Sequence, residues 1–273
     1  MSDIKMKFFD AHIHVYPDAI AERAVNSLGA FYEFVPEGTG TRADFFESSK
    51  RGGCCGFIAL GVATNAAQTA SVNNFLAKTV EIARKDGFDA YGFMGMHQEV
   101  EDIESEAKRA VKLGLCGAKI HPDIQGVNPL DRRLFPLYEF LQKNNLPLCF
   151  HVGDVRPRIN YAEPEKIAEV ARRYPSLRIC AAHFGGYGIF ERSEILVGMP
   201  NVRVDCSSAL WLLDPENIVS LIRRFGSDRV MFGTDYPVKR CDGEISRFEK
   251  LALTDDEKER VLLRTAKDFL SGK

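Results

Sequence analysis

The chain has 273 residues, 45% of them hydrophobic and 27% charged, an ordinary globular composition that excludes a disordered chain. Thirty-six Lys and Arg against 38 Asp and Glu leave a net charge of −2, so no global field draws the protein to nucleic acid or to an anionic membrane. The longest apolar runs, such as 57–63, fall far short of the roughly 20 residues that a membrane-crossing helix needs, and Met1 to Lys7 holds no apolar secretory leader. Seven cysteines, an odd number without a C-x-x-C pair, read as reduced packing residues of a cytoplasmic protein. The oligomeric state stays open, a homodimer included.

In chain order, β-like runs fall at 7–12, 56–62, 90–96, 117–121, 146–151, 178–183, 202–206 and 229–233. Several are continuous apolar stretches, as expected of parallel strands covered on both faces. Between them apolar residues recur at three- and four-residue steps: Leu130, Leu134, Leu137, Tyr138 and Leu141; then Ile167, Val170, Ala171 and Tyr174; then Ile218, Leu221, Ile222 and Phe225. Gly87, Gly114 and Gly226 stand where helix C-terminal glycines belong. Thr254 to Glu257 forms a capping box for a last helix that buries Val261, Leu262, Phe269 and Leu270.

Eight strands alternating with helices predict an α/β fold, a (β/α)8 TIM barrel, in one domain spanning 1–273. A doubly wound open sheet is the runner-up; it would normally have fewer strands and a phosphate loop. The stretch from Gly29 to Gly40 reads as irregular, either a lid over the catalytic face or a plain surface loop.

Five of the six histidines end a predicted strand: His12 and His14, His121, His151 and His183. In a barrel that edge is the mouth where catalysis takes place, and packing alone does not account for five imidazoles there. Asp235 adds a carboxylate to the same rim after the eighth strand. His12 and His14, two apart on an extended strand, point to one face and can grip one divalent ion. His151 and Asp235 arrive from other strands and complete a nitrogen- and oxygen-rich shell. Such a shell suits zinc first, and also manganese, iron or cobalt.

Asp10-Ala11-His12-Ile13-His14, with Phe150-His151-Val152-Gly153, Ala182-His183-Phe184-Gly185-Gly186, Pro200-Asn201-Val202-Arg203-Val204-Asp205 and Gly233-Thr234-Asp235-Tyr236-Pro237, resembles the amidohydrolase superfamily. The branch it is most similar to includes aminocarboxymuconate-semialdehyde decarboxylase. The resemblance implies that His12, His14, His151 and Asp235 bind a catalytic metal and that His183 faces substrate or water.

On the fourth strand Lys119 and His121 lie two apart. The resemblance allows Lys119 to be carboxylated and to bridge a second metal; the plainer reading is an ammonium facing a rim carboxylate or the substrate. His121 either faces the pocket or bonds within the loop that Pro122 opens. His97 reads as an ordinary surface or packing residue. Arg42, Arg156, Arg158, Lys239 and Arg240 follow strand ends and form a candidate cationic lip for an anionic substrate, with Arg158 the chosen contact. Trp211 and Tyr161 are candidates for an aromatic wall. For each cation the solvent-facing alternative stands beside this reading.

No G-x-S-x-G elbow, P-loop or G-x-G-x-x-G fingerprint occurs, so serine-nucleophile and nucleotide chemistries have no support in the sequence. The first expectation is metal-assisted hydrolysis of an amide, lactone or related bond, with Asp235 shuttling the proton and His183 holding the carbonyl or orienting hydroxide. The second is metal-assisted decarboxylation of an unsaturated or aromatic acid. A catalytically silent small-molecule binder is the third. The expected partner in every case is a small molecule.

Overall fold

The computed structural model describes residues 6–156 and 160–273; Arg158, the chosen anion contact, lies outside them. Eight strands follow one another around a parallel sheet in sequence order: β1 Phe8–Ile13, β2 Cys54–Leu60, β3 Asp89–Gly95, β4 Gly117–Ile120, β5 Leu148–Phe150, β6 Ile179–Ala181, β7 Val202–Asp205 and β8 Val230–Met231. The chain then closes on itself. Ala11 N–H donates to Phe232 O at 2.8 Å, Asp235 N–H to His12 O at 2.9 Å and His14 N–H to Tyr236 O at 2.7 Å. These three bonds tie the segment after β8 to β1, so Asp235 and the two histidines share one stretch of rim. This is the TIM barrel that the spacing predicts, not the open sheet.

The helices are α1 Asp18–Tyr32, α2 Arg42–Gly52, α3 Thr69–Lys85, α4 Ile103–Lys112, the short α5 Pro122–Gln125, α6 Phe135–Lys143, α7 Pro164–Arg173, α8 Pro215–Phe225, α9 Cys241–Phe248, α10 Asp255–Glu259 and α11 Thr265–Ser271. A π-type stretch, Arg260–Arg264, joins the last two. Thr254 and Glu257 form both bonds of the capping box at the start of α10. Val261, Leu262 and Phe269 are fully buried. Most of the core lies between strands and helices, where Phe57, Leu76, Val80 and Leu141 pack. A smaller cluster joins Phe9, Ile58, Leu60, Cys149, Cys180 and Met231 to Ala266 and Phe269 of α11. No helix among the described residues is long and apolar enough to cross a membrane.

One boundary differs from the sequence reading. Residues 29–32 are helical, the last turn of α1, and the irregular segment begins only at Glu33, whose φ of 60° ends the helix. The chain folds back so tightly there that a Cβ on Gly29 would stand 2.7 Å from Phe34 O and 3.0 Å from Pro36 Cδ. Glycine therefore marks a close backbone approach inside a helix rather than a loop start. This fold-back places Tyr32 and Phe34 over the barrel mouth.

Candidate metal centre

Asp10 sets the frame. Its buried carboxylate accepts from His12 N–H at 3.2 Å, Thr234 N–H at 3.0 Å and Thr234 Oγ1–H at 2.7 Å, binding the β1 end to the segment after β8. Burial pushes its pKa up to about 7, against the pull of those donors.

His12, His14 and Asp235 converge. His12 Nε2 lies 3.2 Å from His14 Nε2 and 3.4 Å from Asp235 Oδ1, and His14 Nε2 lies 3.7 Å from the same oxygen. A tetrahedral ion with bonds of 2.0–2.1 Å separates its ligand atoms by about 3.3–3.4 Å, so the triangle has the size of one face of such a shell.

The protons on the two imidazoles decide what the triangle can hold. His12 Nδ1 meets the Asp205 carboxylate at 2.9 Å, and His14 Nδ1 meets Leu60 O at 2.9 Å. Each partner only accepts, so each Nδ1 carries the hydrogen. Burial, reinforced by the nearby Lys119, holds both histidines neutral: His12 well below its ordinary pKa and His14 down at about 3. Both Nε2 atoms are then bare. Two nitrogen lone pairs and a carboxylate oxygen face one another, with the Lys119 ammonium 3.5 Å from His12 Nε2, and such a donor set suits a divalent cation. The donor set fits the ion that the spacing anticipates.

Residues 9–271 match the amidohydrolase family. The chain belongs to that family. It is 25% identical over 236 residues to 2-amino-3-carboxymuconate-6-semialdehyde decarboxylase of Dictyostelium discoideum. That alignment takes in 73% of this chain and 65% of the relative, so the chain spans just under two thirds of its length. Among solved structures, an uncharacterised TIM-barrel protein of Bordetella bronchiseptica superposes with a TM-score of 0.79 at 21% identity, over 98% of this chain and all of that one. Dihydroxybenzoic acid decarboxylase of a Polaromonas species, solved with manganese and 2-nitroresorcinol, superposes with a TM-score of 0.70 at 15% identity over 97% of each chain. At these identities the structural matches speak for the fold.

In this amidohydrolase His151 stands outside the triad; among the described residues it joins no cluster of three metal-ligating groups. Its ring stacks on His121, centroids 4.0 Å apart and planes at 10°. Its Nδ1 is 3.0 Å from His183 Nε2, and its Nε2 lies near both Gly153 O and the Tyr32 hydroxyl. His183 and Phe184, with φ of 60° and 50°, form a left-handed kink after β6 that turns His183 inward. The backbone N–H of His183 is anchored on Asp205 Oδ1 at 3.0 Å, and its ring lies 5.0 Å from that of His12. Asp235 Oδ2 accepts from Ser208 Oγ at 2.6 Å. Burial pushes the Asp235 carboxyl up to about 7.

His121 does two things at once. Its Nδ1 accepts from Ile124 N–H at 3.3 Å, capping α5, while Nε2 turns to the cavity and meets the Tyr32 hydroxyl at 3.0 Å. Lys119 lies beneath the mouth, buried, with Nζ 3.5 Å from both His12 Nε2 and Cys149 Sγ. Its ammonium also acts on Asp235, pulling that carboxyl down against burial. Trp211 is set back from the cavity, its ring 6.1 Å from Phe34 and under Lys239 Nζ at 4.8 Å. His97 is buried, its Nδ1 accepting from Glu99 N–H at 3.2 Å.

The cationic lip is already engaged. Arg156 pairs with Asp154, donates to Phe31 O and lies over the Phe31 and Tyr32 rings. Lys239 pairs with Glu37 and Arg240 with Asp44. Arg42 lies over Phe75. Arg156, Lys239, Arg240 and Arg42 are thus engaged with neighbouring side chains, an arrangement that neither of the two readings describes.

Asp205 and Tyr32 are the functional residues that sequence reasoning left without a role. Asp205 ends β7 as the histidines end their strands, and that position was its signal. For Tyr32 the signal was the lid reading of 29–40 alone; the fold-back at Gly29 brings the residue to the mouth.

Proposed function

We propose that this protein is a metal-dependent decarboxylase acting on an unsaturated or aromatic carboxylic acid. The observation that carries this reading is the His12–His14–Asp235 triad, with both histidines bare at Nε2 toward Asp235 Oδ1, set under a wall formed by Tyr16, Tyr32, Phe34 and Tyr187. Aromatic walls favour flat, conjugated ligands. The sequence alone ranks hydrolysis first; the named relatives, decarboxylases of a carboxymuconate semialdehyde and of a dihydroxybenzoic acid, support the second expectation instead.

His12, His14 and Asp235 would hold the ion, with His151 next to them as the fourth residue that the resemblance implies. When bound, the ion supplies positive charge that orients the substrate and stabilises charge developing on it. The Cα–carboxylate bond breaks, its electron pair stays on the substrate carbon, carbon dioxide leaves and one proton replaces it. Asp235 is the group placed to deliver that proton, since Ser208 fixes its outer oxygen while the inner one faces the triad. His183, held by Asp205 through its backbone, positions the substrate beside His12. Zinc and manganese are both compatible with a donor set of two imidazoles and a carboxylate.

Metal analysis of protein purified without chelator, followed by carbon dioxide release from muconate-like and hydroxybenzoic acids with added zinc or manganese, tests the reading. Metal-dependent release supports it. Hydrolysis of lactones or amides without any release restores the first expectation, and absence of both metal and turnover leaves a silent binder.

A further inference from the structure

The space directly over the triad is small, about 40 Å³, enough for about three waters or one carboxylate group. Its roof is fixed, because the Tyr32 hydroxyl is bonded to His121 and His151 and Arg156 holds the end of α1 from outside. A long substituent has no room in that volume. A far larger cleft, about 520 Å³, opens sideways between α1 and α3. The two spaces share His14, Tyr16, Leu28, Val62 and Ile124 as a common wall.

The cleft is built as a small-molecule site. Ile20, Phe31, Leu60, Val72 and Phe75 make its sides apolar, while Arg23 and Gln68 mark a polar outer rim. Its size and mostly apolar lining fall in the range of small-molecule pockets. Ile20, at 39% exposure, is left partly open to solvent on this wall.

We propose that this lateral cleft is the specificity subsite: it takes the elongated apolar body of a carboxylic acid whose carboxylate reaches the triad past His14 and Tyr16. The preferred substrate is therefore an acid with an extended hydrophobic substituent, not a compact ring alone. This rests on the metal-site reading of the triad, and the test separates the two.

The probes are benzoate and 4-n-propyl-, 4-n-pentyl- and 4-n-heptylbenzoate, titrated calorimetrically into manganese-loaded protein. Affinity is expected to rise by about fourfold per methylene until the cleft is full. Ala24→Trp, which fills the cleft from its α1 wall, flattens the series and leaves the affinity for manganese within twofold. Ser71→Trp does the same from α3 if the first variant fails to fold. Affinity independent of chain length in the native protein overturns the proposal, as does a series equally steep in the filled variants. A cleft covered by a second copy, seen as loss of the series when sedimentation shows self-association, overturns it too. Failure of the metal reading shows separately, as absence of manganese uptake with the length dependence intact.

Discussion

Asp205 and His12 face one another across 2.9 Å, carboxylate oxygen to Nδ1, and this pair decides which imidazole nitrogen is left for a cation. The carboxylate accepts only, so the hydrogen sits on Nδ1 and the Nε2 lone pair points at His14 and Asp235. In Asp205→Asn the amide can present N–H to Nδ1 and so favour the other tautomer. Metal affinity is expected to fall by about 10- to 100-fold, the usual effect of losing such an outer partner. Competition against a chelating fluorophore measures it, and an unchanged affinity would mean that His12 is oriented by something else.

The contributions of the rim residues to metal binding should rank by geometry. His12→Ala, His14→Ala and Asp235→Asn each remove an atom of the triangle and should lower zinc or manganese affinity by at least about 100-fold. His151 stands outside that triangle, stacked on His121, so His151→Ala should cost about tenfold less than the others. Equal losses in all four variants would make His151 a full ligand whose ring turns on binding.

The eight strands and the shared rim were legible because β-runs, helix glycines and strand-end histidines are local patterns. Gly87, Gly114 and Gly226 do take the positive φ, near 90°, that favours glycine after a helix. What stayed hidden depends on contacts remote in sequence. Spacing put His12 and His14 on one face, but which nitrogen of each is free follows from Asp205 and Leu60, 193 and 46 residues away. Spacing likewise gave His151 a strand-end position without its ring orientation, which Tyr32 and His183 set. The lip arginines raise the opposite difficulty. A guanidinium near a mouth looks available until its carboxylate partner, such as Asp154 for Arg156, is seen.

Tyr32 should matter to one pair of histidines and not to the other. Its hydroxyl lies 3.0 Å from His121 Nε2 and 3.1 Å from His151 Nε2, while His12 and His14 take their partners elsewhere. In Tyr32→Phe the imidazole ¹⁵N shifts of His121 and His151 are expected to move and those of His12 and His14 to stay. Stability should fall by about 1 kcal/mol through the lost hydrogen bonding. Equal movement at all four rings would show that the hydroxyl organises the whole mouth.

Glu244 offers a pH test far from the metal chemistry. It sits on α9, 1% exposed; Oε1 accepts from Arg247 at 2.9 Å, and Oε2 has no hydrogen-bond partner among the described residues. Burial pushes its pKa from 4.5 up to about 7. As pH rises through 4.5 the unfolded chain releases this proton while the folded protein keeps it, so native stability declines up to about pH 7 and the penalty is constant above. Glu244→Gln stays neutral throughout and escapes the penalty; the bond to the half-exposed Arg247 that it weakens is worth little. Urea unfolding should therefore show the variant more stable than the native protein by on the order of 2 kcal/mol at pH 8, with the difference shrinking to nothing near pH 4.5. A gain of the same size at both pH values would place the effect in packing, and a loss at pH 8 would mean that the ionised carboxylate is stabilising in the folded state.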